Sequence, residues 1–89
     1  MNTLSDDKII EIAKQVAAEN LASGTVGTIR SASIIDSLGR DALEITIVLT
    51  PGSSSAVTGD MAVNTVFDLN QRLQEAREER FSIVRYSSE

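Results

Sequence analysis

Residues 41–50 read DALEITIVLT, and this stretch decides the fold. Leu43, Ile45, Ile47 and Leu49 alternate with Ala42, Glu44, Thr46 and Val48. A period of two is that of a strand with one face in a core. The β-branched residues in its middle suit a pleated surface. The rest of the chain reads as elements that cover or extend this strand.

Working back from it, residues 36–40 (DSLGR) form a turn. The Asp36 carboxylate caps the turn backbone and Gly39 takes a positive φ. A short loop with Gly near its end suits a hairpin, so residues 25–35 are expected to pair antiparallel with 41–49. Neither face of 25–35 is plainly the core face, and Gly27 marks a bulge or the true strand start. Further upstream, Ser5 caps a helix over residues 6–22, with Asp6 and Asp7 where the helix dipole favours negative charge. Leu4 and Ile9 fit a hydrophobic staple. Ile9, Ile12, Ala13, Val16, Ala17 and Leu21 make its apolar stripe, and Ser23-Gly24 stops it.

Working forward, Thr50-Pro51-Gly52 breaks the strand and three serines extend a polar loop. A second helix starts near 55–58 and runs to about residue 78, with Thr58 as a cap. Its expected core stripe is Ala62, Val63, Val66, Phe67, Asn70, Leu73 and Ala76, with one polar break at Asn70. The charges at its end are expected to be mostly solvated. Residues 80–86 (RFSIVRY) form a third strand, and residues 87–89 are expected to fray. The order is α-β-β-α-β. Two amphipathic helices need one apolar surface, so the expected fold is a single α+β domain over residues 1–89. It is a two-layer sandwich with both helices on one face of a three-stranded mixed sheet. The crossover between the second and third strands makes those two parallel. Where the third strand lies in the sheet is not readable.

Composition removes several kinds of chemistry from consideration. The 89 residues contain no His and no Cys, so serines have no imidazole to activate them and no thiolate is available. Lys8 and Lys14 lie where the first helix meets water. Asp36 and Asp41 flank the turn, where Arg40 keeps both ionised, so they read as turn and solubility residues rather than an acid/base pair. Gly24 and Gly27 precede a strand, and the 51–60 connection lacks Gly-Lys-Ser/Thr, so no phosphate cradle is present. No catalytic residue, cofactor or metal ligand is assigned, and the protein is read as a non-enzyme. The net charge of −5 argues against non-specific nucleic-acid binding. The acidic, amphipathic start is not a signal peptide, and no apolar run approaches the ~20 residues of a membrane span. The expected location is the cytoplasm.

The α-β-β-α-β order resembles that of bacterial-type KH domains. The Gly-x-x-Gly loop of that family is missing between the second and third strands, so RNA binding is not carried over. Asp36-x-x-Gly39-x-x-Ala42-Leu43-x-Ile45-Thr46-Ile47-Val48-Leu49 together with Arg80-Phe81-x-Ile83-Val84-Arg85-Tyr86 resembles small bacterial proteins of similar length with no assigned activity. The resemblance covers most of the chain from residue 30 and implies a fold without a function.

The functional expectation is a protein-interaction or oligomerisation module. If the helices cover the Leu43/Ile45/Ile47/Leu49 face, then Thr46, Val48, Val84 and Tyr86 would form an apolar surface on the other side. A homodimer or a protein partner would use that sheet face or an exposed strand edge. The first alternative is an RNA-binding module using Arg72, Arg77, Arg80 and Arg85, opposed by the interleaved Glu75, Glu78 and Glu79. The second is an accessory subunit of a larger enzyme.

Overall fold

In the computed structural model, which describes residues 4–88, Ser5 starts helix α1 (Asp6–Asn20) as its N-cap. Its hydroxyl accepts the Lys8 N–H at 3.2 Å, satisfying one of the helix's orphan donors. Leu4 and Ile9 staple the entry as expected: Ile9 is fully buried and Leu4 packs on the core. Strand β1 (Val26–Ile35) and strand β2 (Asp41–Leu49) form the antiparallel hairpin, with Ile35 opposite Asp41. Asp36 accepts the backbone N–H groups of Leu38 and Arg40, both at 2.9 Å, and the Arg40 Nε–H at 3.1 Å. The Arg40 backbone N–H does most to hold the Asp36 carboxyl below its ordinary range. Gly39 takes φ +79°. The ladder shifts register between Val26 and Thr28, so Gly27 is a bulge.

After β2 the Thr50 hydroxyl donates to the Gly24 carbonyl at 2.7 Å, and a 3-10 turn (Ser54–Ala56) leads into helix α2 (Gly59–Glu75). Thr58 caps α2 by accepting the Met61 N–H at 3.1 Å. Strand β3 (Phe81–Ser88) then runs parallel to β2, from Ala42 opposite Phe81 to Leu49 opposite Ser88. The order β1-β2-β3 puts β2 in the centre of a mixed sheet. Both helices cover one face, burying Leu43, Ile45, Ile47 and Leu49 against Ile9, Val16, Leu69 and Leu73. Among the described residues no helix is long and apolar enough to cross a membrane.

Three details at the ends of α2 and β3 differ from the sequence expectations. Ser87 and Ser88 are not frayed but pair with Val48 and Leu49; Glu89 lies outside the described residues. Glu78 and Arg80 are interior rather than solvated, as described below. And α2 stops at Glu75, three residues early, because Arg77 turns left-handed at φ +68°. The Glu78 N–H then reaches back to the Leu73 carbonyl at 2.8 Å and the Arg77 N–H to the Gln74 carbonyl at 3.0 Å. This is the Schellman arrangement, which favours Gly where Arg77 stands. A left-handed residue with a Cβ costs about 1–2 kcal/mol. Arg77→Gly is therefore expected to stabilise the fold by about 1 kcal/mol, net of the extra freedom Gly has when unfolded. A thermal melt should show Tm rising by about 4–8 °C, and an unchanged or lower Tm would contradict the strain.

Candidate functional site: the groove between helix α2 and strand β3

The apolar residues of α2, from Met61 round to Phe67, span about 240° of its circumference at 3.6 residues per turn. A core-facing stripe needs only somewhat more than 100°. The structure divides this wide arc. Thr65, Leu69 and Leu73 are buried, with Met61 and Ala76 packed beside them. The core stripe is therefore centred on Leu69, which the expected stripe omitted; Leu73 and Ala76 of that stripe do face the core, and Val63 and Phe67 do not. Val63 and Phe67 are 67% and 69% exposed. Between these two arcs, Ala62 and Asn70 bond to β3. The Tyr86 hydroxyl donates to the Ala62 carbonyl at 3.1 Å, and burial pushes its pKa up. The buried Ser82 hydroxyl donates to Asn70 Oδ1, while Asn70 Nδ2 donates to the Val66 carbonyl at 3.0 Å. The polar break in the stripe thus satisfies a polar group that would otherwise be orphaned.

Outside that seam lies a groove of about 640 Å³ lined by Val63, Val66, Phe67, Phe81 and Tyr86 among others. Phe81, at the start of β3, is 68% exposed. The groove runs beside the free edge of β3. The sheet's two edges are treated differently. β1 carries the Gly27 bulge, a common way of blunting an edge. β3 is paired with β2 in unbroken register over all eight residues and contains no Pro, no Lys and no bulge. Its one charge, Arg85, reaches inward over β2 to Glu44, Nε to Oε2 at 2.8 Å.

One end of the groove is closed by an ion pair that the sequence did not reveal. Glu78 is 4% exposed and accepts four hydrogen bonds. Oε1 takes the Leu4 N–H at 2.8 Å and Arg80 Nη2 at 2.9 Å. Oε2 takes the Arg80 backbone N–H at 2.9 Å and Nε at 3.0 Å. Arg80 also donates to Ser33 Oγ at 2.7 Å and to the Leu4 carbonyl at 3.3 Å. Burial alone would raise the Glu78 carboxyl; the guanidinium and the two backbone donors outweigh it and hold the pKa at about 2.

The four residues expected to share an interaction surface are separated. Thr46 and Val48 do lie on the face away from the helices, Thr46 half-buried and Val48 only 8% exposed. Val84 and Tyr86 lie on the helix face, opposite Ile45 and Ile47, and pack against the core. The parallel register causes this: it brings Phe81, Ile83 and Arg85, not Val84 and Tyr86, level with Ala42, Glu44 and Thr46. The arginines are likewise spread over different surfaces. Arg72 pairs with Glu19 in the helix layer, Arg80 with Glu78 at the groove end, and Arg85 with Glu44 on the open sheet face. Arg77 sits in the turn after α2, and of the four it alone has no ion pair among the described residues. Val63, Phe67 and Phe81 were the residues missed; the sequence signal for the first two was the excess width of the α2 apolar arc, and Phe81, in β3, had none.

Fold and groove define a two-layer α+β domain with an unguarded edge strand flanked by an apolar cleft. Searches of protein-family models, of curated proteins and of solved structures return no match to this chain.

Proposed function

We propose that the protein is a non-catalytic interaction module that binds a protein chain along the α2–β3 groove and the adjoining β3 edge. The observation that carries this reading is the convergence of Val63, Phe67 and Phe81, each about two-thirds exposed, on one cleft beside the free edge of β3. Scattered apolar residues need no explanation, but a contiguous set beside an open hydrogen-bonding edge is the anatomy of strand addition. The backbone edge supplies affinity, and the cleft selects the side chains that alternate into it. Covering the cleft also removes apolar surface from water at roughly 25 cal/mol per Å².

The test compares the wild-type chain with Phe67→Ser and with Thr46→Asp on the open sheet face. Association, either with itself or with a captured protein, should be lost in Phe67→Ser and kept in Thr46→Asp. Loss in Thr46→Asp alone would move the binding surface to the open face.

A further inference from the structure

We infer that the occupant of the groove is a second copy of this chain, added antiparallel along β3 about a two-fold axis at Val84. This rests on the interaction reading above and names the partner. Two features converge on that axis, and a third, the exposed area, suits a contact of this kind.

The first is the relation between helix and strand. The Tyr86–Ala62 and Ser82–Asn70 hydrogen bonds fix α2 against β3. Val84 is midway between the two strand positions and Val66 midway between the two helix positions. An axis at Val84 is therefore centred on the strand edge and on the α2 flank at once. It sets Phe67 of each copy near the axis and Val63 of each toward the other copy's helix. An isologous contact needs the same patch to serve both sides.

The second is the strand itself. With Val84 opposite its own copy, Phe81 faces Ser87, Ser82 faces Tyr86 and Ile83 faces Arg85. Large side chains meet small ones at the first two positions, and no two arginines are opposed. Moving the axis to Arg85 would set that residue against itself, which destabilises a pair. This register also overlaps residues 81–87, nearly the whole of β3 (Phe81–Ser88).

The third is area. At 150–250 Å² per phenylalanine, Phe67 and Phe81 at two-thirds exposure offer about 270 Å². Val63 and a seven-residue edge, about 23 Å long at 3.3 Å per residue, bring each copy toward the ~800 Å² per partner of a standard interface. The result is a continuous six-stranded sheet whose only free edges are the two bulged β1 strands.

The experiment measures solution mass over a concentration series and adds a single introduced cysteine, which has no native competitor because the chain has none. Opposite Cα atoms in an antiparallel pair lie about 4.5–5.5 Å apart, within disulfide range. Expected are twice the 9.6 kDa chain mass, a disulfide-linked dimer from Val84→Cys and none from Ile34→Cys on β1. Phe67→Ser, which leaves the core intact, should raise the dimer Kd about 30-fold or more. A 9.6 kDa species at every concentration that still captures a protein through Phe67 overturns the second copy but leaves the interaction module standing. The same monomer with no Phe67-dependent association overturns both. A dimer that cross-links through Ile34→Cys instead overturns the β3 axis.

Discussion

Glu78→Ala is expected to remove much of the protein's stability at neutral pH. The substitution leaves the Arg80 guanidinium, whose side chain is 10% exposed, without its counter-charge. It also strips the acceptor from the Leu4 and Arg80 backbone N–H groups. Breaking a buried pair from one side costs about 3–5 kcal/mol. A domain of this length is stable by about 5–10 kcal/mol, so the loss removes much of the total. Urea melts followed by circular dichroism check this. Replacing both partners, with Glu78→Met and Arg80→Met together, should be milder than Glu78→Ala, because no buried charge is left unpaired. A Glu78→Ala protein as stable as the parent would rule out a buried pair.

The same carboxylate sets an acid limit. Its pKa is about 2 in the fold against 4.5 when free. A depressed pKa contributes stability that is fully present above pH 4.5 and lost as pH falls from there toward about 2. The contribution is on the order of 3 kcal/mol. The stability gap between the parent and Glu78→Gln should therefore narrow across that window and stay constant above it.

Leu69→Ala and Phe67→Ser should have opposite outcomes, although the two residues are neighbours on one apolar helix. Leu69 is fully buried between the layers, and its truncation should cost about 2–5 kcal/mol. Phe67 is 69% exposed, so Phe67→Ser should change the stability of the isolated chain by no more than about 0.5 kcal/mol. Urea melts of dilute protein separate the two. Equal losses would mean that α2 faces the core through Phe67, as its sequence pattern first indicates.

That pair of residues shows where sequence reading stops. Within one strand or helix, neighbours fix one another: the alternation around Ile45, the Ser5 and Thr58 caps, and the Asp36 turn were all legible because each depends on residues a few positions apart. The α-β-β-α-β order and the two-layer sandwich followed from them. The phase between elements was not legible. Val84 and Tyr86 alternate correctly with Phe81 and Ile83, but only the parallel register with β2 decides which pair faces the helices. The phase of α2 was hidden because its apolar arc is wider than one core contact needs. Glu78 and Arg80 looked solvated because they stand among other charges; what buries them is Leu4 and Ser33, far away in sequence.

The Leu4–Glu78 contact has an architectural consequence. It lashes the start of α1 to the chain just ahead of Phe81, while Ser88 lies at the far end of the same strand. Leu4 and Ser88 thus lie at opposite ends of the sheet, about 26 Å apart at 3.3 Å per strand residue. A flexible fusion at either position starts at a different pole of the molecule. In a two-fold pair joined at Val84, each pole would carry the front of one chain beside the back of the other.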